Sequence, residues 1–155
     1  MGNQRQAQAV FETLCKALDE RHWKYEKHPD DLVITFDYRG EDIPMSFVMA
    51  IDAEREVVQL FSTLPFLFGR DKRVEGAIAT SCINYLLADG SFDYDYKTGA
   101  VRFRLTATFR DSLISPTLLL YMVAIACRTV DDYNDKLLMV AKGILPPEDI
   151  TADEL

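Results

Sequence analysis

The sequence predicts an α+β domain in which a five-stranded antiparallel sheet is packed by helices, in the order α-β-β-β-α-β-β-α. Two observations predict this class: apolar residues repeat with helical spacing in three segments, and they alternate in the segments between. A third is the length, because 155 residues can bury the core of one domain without a disulfide or a metal. We assign residues 1–143 to this domain and residues 144–155 to a loose, acidic tail.

The first helix and the first three strands follow each other along the N-terminal half. Val10, Phe11, Leu14 and Leu18 give residues 4–22 the apolar face of a helix. Alternation then predicts three antiparallel strands, separated by polar turns, over residues 32–38, 43–51 and 57–64. The second face of this sheet is partly apolar too, at Val48, Ala50, Val57 and Phe61. We therefore expect the long last helix or a second subunit to cover it.

A second helix and a β-hairpin come next. Asp71 is the expected helix cap, and the helix is expected to end near Gly90. The hairpin register follows if Thr98-Gly99 is a two-residue turn. Asp95 then faces Arg102, Asp93 faces Arg104, and the aromatic residues form an apolar row on the opposite face. A slip by one residue would exchange the two faces.

The last helix is expected to start at the Ser115-Pro116 pair and to stop at Gly143. One apolar stripe follows its whole length: Leu119, Val123, Ala126, Val130, Tyr133, Leu137 and Val140. Leu118, Met122 and Ile125 add apolar area to its first half only. We predict that these three residues help to bury a homodimer interface; the alternative is that the second helix of the same chain covers them.

Three large apolar residues, Phe66, Leu67 and Phe68, lie between the third strand and the second helix. A connection of this kind seldom carries three such residues without burying them. We consider two interpretations, that these residues bind a protein partner or that they close one end of the core. Partner binding is the interpretation with a functional consequence.

Charge and composition exclude several classes of protein. The net charge of −8 and the pI near 4.7 argue against nucleic acid and anionic lipid as partners, because phosphates would be repelled. The longest apolar run in the last helix is far shorter than the roughly 20 residues that span a bilayer, and the N-terminus lacks a signal-peptide pattern. Three widely spaced cysteines suit a reducing compartment, so we expect a cytoplasmic protein.

No residue pattern predicts catalysis, a cofactor or a metal. The only histidines, His22 and His28, are not spaced as metal ligands, and the nucleotide-binding and hydrolase motifs are absent. The leading expectation is a non-enzymatic protein-binding module. The alternative is a small-molecule sensor, or an enzyme whose site is built from dispersed residues around Tyr94, Tyr96 and Arg102.

Several short motifs point to a family. They are Ile83-Asn84-Tyr85-Leu86-Leu87, Gly90-Ser91-Phe92-Asp93-Tyr94-Asp95, Thr98-Gly99 and Val101-Arg102-Phe103-Arg104. With the element order, they resemble the YbjN-like family of bacterial sensory-transduction regulators over about residues 8 to 143. The resemblance implies a fold similar to that of type III secretion chaperones, which are small, acidic, cytoplasmic and commonly dimeric. It also implies binding of partly unfolded proteins without catalysis, and it supplies no motif of functional residues.

Overall fold

The structure is a computed structural model that describes residues 2–151 of the chain. The helices are α1 (Gly2–Glu20), α2 (Arg73–Leu86) and α3 (Pro116–Ala141). The strands are β1 (Glu26–His28), β2 (Val33–Arg39), β3 (Pro44–Asp52), β4 (Val57–Leu67), β5 (Ser91–Asp95) and β6 (Ala100–Thr108). Short 3₁₀ turns precede α2 at Arg70–Lys72 and follow α3 at Pro147–Asp149.

The strands form one antiparallel sheet in the order β1-β2-β3-β4-β6-β5. The fold class is confirmed, but the sheet has six strands and not five. The strand absent from the sequence prediction is β1, whose three residues are all exposed and so show no alternation. It pairs only with the start of β2, where Glu26 lies opposite Thr35 and His28 opposite Val33.

The main core lies between one face of the sheet and the helical layer. α3 contacts both α1 and α2, and α2 contacts β5. All residues of the predicted α3 stripe are buried, as are the alternating residues Ile34, Phe36, Phe47, Met49, Val58 and Leu60 of the sheet. The Ser115 hydroxyl caps α3 by accepting a hydrogen bond from the Leu118 N–H at 3.1 Å, and Gly143 ends it with a φ of +74°.

The register predicted for the β5–β6 hairpin is wrong by two residues. Asp93 lies opposite Arg102, and Asp95 lies opposite Ala100, so the loop has four residues, 96–99. A two-residue turn of the usual type would need positive φ at both Thr98 and Gly99, but only Gly99 has it, at +79°. Asp95 closes the longer loop, because its carbonyl accepts the Gly99 N–H at 2.7 Å. The faces of the hairpin are as predicted, since a shift of two residues preserves them.

Strand β4 does not end at Pro65, as the sequence suggested, but continues to Leu67 through a bulge between Thr63 and Leu67. Pairing with β3 extends along β4 only to Phe61. Pro65 therefore lies where β4 has no partner on that side, and a residue without an N–H donor is tolerated there.

The predicted loose tail is wrong as far as the structure describes it. Pro147 and Ile150 are buried, and the 3₁₀ turn that contains Pro147 packs against α2. The domain therefore continues at least to Thr151, and residues 152–155 of the predicted tail lie outside the described residues.

Candidate protein-interaction surfaces

The face of the sheet opposite the helices is open in the described chain, so the predicted covering by the long helix is wrong. We call it the open sheet face, and its outward residues include Val48, Ala50, Val57, Gln59, Phe61, Thr63, Leu67, Arg102 and Arg104. Val48 lies opposite Phe61, and both project from the middle of the sheet. An exposed, flat and partly apolar face of this kind is suited to contact with another polypeptide.

Charged groups on this face concentrate at β5 and β6. The Asp93 carboxylate accepts one hydrogen bond from Arg102 at 3.3 Å and forms an ion pair with Arg104 at 3.0 Å. The Arg102 guanidinium also lies 4.5 Å from the centre of the Phe61 ring, a cation–π contact. Two guanidiniums thus share one carboxylate, whereas the sequence predicted a separate acid for each. The second predicted acid, Asp95, instead accepts the Lys97 N–H at 2.9 Å, which lowers its pKa.

The structure separates the three residues predicted to bind a partner. Phe68 is fully buried and makes an edge-to-face contact with Tyr94, with ring centres 5.7 Å apart. Phe66 is half-buried beside it. Leu67 is 62% exposed and lies opposite Ala100, which places it at the margin of the open sheet face. Phe68 therefore closes one end of the core, and only Leu67 is fully available to a partner.

A second exposed apolar surface lies on α2. Val74, Ile78, Ser81 and Tyr85 are all exposed and follow each other at steps of four, three and four residues, so they form one stripe. The opposite side of α2 is buried. Leu86 is exposed as well, about a quarter turn from this stripe. We call Val74, Ile78, Ser81 and Tyr85 the α2 face. The sequence prediction missed it, although the spacing and the lack of charge were visible.

The three predicted dimer residues on α3 divide between core and surface. Met122 is only 2% exposed in the single chain and belongs to the core. Ile125 is half-buried, and Leu118 is exposed. Both α1 and α2 pack against α3, so other helices of the same chain lie beside this region. A second copy can therefore contact Leu118 but not Met122.

Asn84 fixes the C-terminal end of α2 against the edge strand β5. Its side-chain amide donates to the Phe92 carbonyl at 3.0 Å and accepts from the Phe92 N–H at 2.7 Å. An amide can make both bonds at once. Asn84 therefore replaces the two backbone hydrogen bonds that a neighbouring strand would make with Phe92. The unpaired edge of β5 is thereby satisfied at Phe92.

Arg73 fixes the N-terminal end of α2. Its guanidinium donates to the carbonyls of Phe68 at 2.8 Å, Tyr96 at 3.1 Å and Lys97 at 2.6 Å. The Tyr94 hydroxyl in turn donates to the Arg73 carbonyl at 2.7 Å. These bonds connect the end of β4, the hairpin loop and α2, so both ends of the helix are held while the α2 face points to solvent.

The residues of the alternative small-molecule site do not converge. Tyr94 points toward α2 and is half-buried there, which raises its pKa through loss of hydration, whereas Arg102 lies on the open sheet face. Tyr96 is exposed on the hairpin loop. Within residues 2–151, no group of His, Cys, Asp or Glu side chains is arranged to hold a metal ion. In the same range, no helix has the length and apolar character needed to cross a membrane.

Comparison with known proteins supports the fold. A chain in the crystal structure of the ExsC–ExsE complex superimposes with a TM-score of 0.55 at 15% sequence identity. The match covers 83% of this chain and 93% of that one. No family model matches the sequence, and no curated protein matches it significantly. The similarity therefore concerns the α+β fold, in which helices pack an antiparallel sheet, and the YbjN-like family stays a prediction.

Proposed function

We propose that this chain is a non-enzymatic protein-binding module, a regulator or chaperone-like adaptor, whose open sheet face binds a segment of a partner protein. The assignment to YbjN-like bacterial proteins that act in the cytoplasm is part of this proposal. So is the chaperone-like role that the resemblance implies.

The observation that carries the proposal is the one-sided packing of the sheet. The described helices lie on one face, and the other carries the exposed Val48 and Leu67 and the half-buried Phe61 among uncharged polar residues such as Gln59 and Thr63. The apolar residues are spread along the strands and are not enclosed in a cavity. Apolar residues spread along strands in this way match an extended polypeptide better than a small molecule.

The charges on this face indicate the chemistry of the partner. Arg102 and Arg104 share the Asp93 carboxylate, so these three groups together carry a net charge of +1 beside the Phe61 ring. An apolar segment that carries an acidic residue would place its carboxylate beside these guanidiniums. The neighbour of similar fold also occurs in a complex with another protein, which is consistent with this role.

The test is affinity capture from the native cell with two variants. Val48→Asp/Leu67→Asp places two charges on exposed positions of the open sheet face. Leu113→Asp is the matched control, because Leu113 is 88% exposed and lies in the loop before α3. We expect the control to retain the captured partner and the double variant to lose it.

Affinity for the purified partner should then fall by at least about tenfold in the double variant, measured by calorimetry. Equal capture by the double variant and the control would show that the open sheet face is not the binding site.

A small-molecule sensor is the second candidate, supported by an open groove of about 590 Å³ on the same face. Arg55, Gln59, Ser91, Arg104 and Thr106 contribute polar groups to it. A thermal-shift screen of metabolites distinguishes the two functions. A ligand present at about 100 times its Kd would add about 2.7 kcal/mol of stability, and the gain should be lost in Arg104→Ala.

A further inference from the structure

We infer that the open sheet face binds an extended segment that crosses its strands, with a basic residue at one end, an apolar residue in the middle and an acidic residue at the other end. This motif rests on the proposed function, because the same face holds the segment. It goes beyond that function by specifying which side chains the segment carries and how far apart they lie.

One row of residues crosses the whole sheet in register. Each of the six strands contributes one residue, and each residue lies directly opposite the next: Glu26, Thr35, Val48, Phe61, Arg104 and Ser91. We call these six residues the cross-strand row. Residues directly opposite each other share a face of an antiparallel sheet. Ile34, next to Thr35 in the chain, is buried in the core, so the row lies on the opposite, open sheet face.

The end of the row at β1 and β2 is acidic. Thr35 and Val48 line a hollow of about 600 Å³ there. Glu26 and Asp37 contribute carboxylates to this hollow, against one ammonium group from Lys24. The Ser46 hydroxyl donates to Asp37 at 2.8 Å, and this neutral partner leaves the negative charge of Asp37 in place. A lysine or arginine side chain of a partner would therefore meet two carboxylates in the hollow.

The middle of the row is apolar, and its far end is basic. Val48 is 40% exposed and lies opposite Phe61, so an apolar side chain of the partner can pack on this pair. Arg102 and Arg104 follow on β6, and together with Asp93 they carry a net positive charge. A partner carboxylate bound there would gain two guanidinium groups as neighbours.

The spacing of the strands sets the length of the segment. Thr35, beside the acidic hollow, and Arg104 are three strand spacings apart, which is about 14 Å at about 4.8 Å per spacing. An extended chain advances about 3.3 Å per residue and points alternate side chains to the same side, so positions i, i+2 and i+4 face the sheet together and span about 13 Å. The motif is therefore a basic residue at i, an apolar residue at i+2 and an acidic residue at i+4. The reverse order fits equally well, because a chain can cross the row in either direction.

The first test selects ligands from a phage-displayed library of random peptides on the immobilised wild-type chain, with Val48→Asp/Leu67→Asp for counter-selection. We expect the peptides that need the open sheet face to carry a basic and an acidic residue four positions apart, with an apolar residue midway. Peptides that need this face but lack the spacing overturn the motif and leave the proposed function intact. A selection in which no peptide depends on the open sheet face contradicts both.

The second test reverses one charge at the acidic end of the row. Asp37→Lys alters the hollow, and Glu20→Lys makes the same change of charge at an exposed position on α1. Both side chains are exposed, so both variants should keep the wild-type circular dichroism. For a selected peptide, measured by fluorescence anisotropy, we expect Asp37→Lys to raise the Kd more than about tenfold and Glu20→Lys to change it less than about twofold.

Exchange of the basic residue of the peptide for glutamate should restore binding to Asp37→Lys, because the reversed charges then attract each other again. An equal Kd in the two variants, or a failure of the exchanged peptide to bind Asp37→Lys more tightly than the original peptide does, overturns the proposal.

Discussion

The double hydrogen bond between Asn84 and Phe92 allows a quantitative prediction. Asn84→Ala removes both bonds, at 3.0 and 2.7 Å, and leaves the N–H and the carbonyl of Phe92 without their partner. Each bond contributes about 1 kcal/mol to stability. The two unpaired groups of Phe92 add a desolvation penalty, which is reduced because water can enter the space left by the side chain. Alanine recovers about 0.6 kcal/mol through its higher helix propensity. We therefore expect a net loss of about 2 kcal/mol in the free energy of unfolding.

Asn84→Asp gives a sharper test, because it keeps the shape and changes one atom from donor to acceptor. The carboxylate still accepts the Phe92 N–H, but its second oxygen faces the Phe92 carbonyl and repels it. Protonation restores a donor, so the folded state binds this proton and the carboxyl pKa is raised. The variant should therefore gain stability relative to wild type as the pH falls toward about 4.

The measurement is urea unfolding of wild type, Asn84→Ala and Asn84→Asp at pH 7 and pH 4 and at one protein concentration. Ser81→Ala, an exposed substitution in the same helix, serves as the control. A loss of about 2 kcal/mol corresponds to a Tm lowered by about 4–8 °C for a domain of this size. A loss below about 0.5 kcal/mol in Asn84→Ala, or no pH dependence in Asn84→Asp relative to wild type, would refute the reasoning.

Three further predictions concern α2 and α3. Arg73→Ala removes hydrogen bonds to three backbone carbonyls and should cost about 2–3 kcal/mol in urea unfolding, with Arg73→Lys intermediate. Gly76→Ala should also destabilise, by about 1–3 kcal/mol, because the added Cβ would lie 2.6 Å from the Tyr94 hydroxyl; a more stable variant in thermal melting would contradict this contact. Burial, and to a smaller extent repulsion from Asp42, raises the pKa of Asp135. The protonated carboxyl group therefore contributes fully to the free energy of unfolding at low pH, and this contribution is lost as the pH rises through the folded-state pKa. Asp135→Asn should therefore be more stable than wild type at pH 7 and no more stable at pH 3, and the opposite order would show that the carboxylate is favourably paired.

The order of residues along the chain was sufficient to predict the three helices, five of the six strands and their faces. Periodicity located α1, α2 and α3, and it identified the buried stripe of α3, because a helix at a sheet must present one apolar side. Alternation likewise identified which residues of the strands point inward. These features are local, since they depend only on which residues follow each other along the chain.

The exact strand pairings and the exposed surfaces depend on contacts between segments that are distant along the chain. The hairpin shift left every side chain on its predicted face, so the apolar pattern could not detect it, and Gly99 and Asp95 selected the longer loop. The strand β1 has no alternation of its own and exists because the edge of β2 accepts it. The sequence made Phe68 a candidate for partner binding and Met122 a candidate for a dimer interface, but both are buried by residues distant along the chain.

The two candidate interaction surfaces also depended partly on the local sequence pattern and partly on packing between distant segments. The sequence showed that more apolar residues were present than one helix–sheet contact needs, and it placed the surplus on α3 and on residues 66–68. In the fold Met122 is buried in the core, whereas Val74, Ile78 and Tyr85 of α2 face solvent. Whether an apolar side chain lies in the core or at the surface depends on which elements pack against it. That is decided by contacts between segments far apart in the chain.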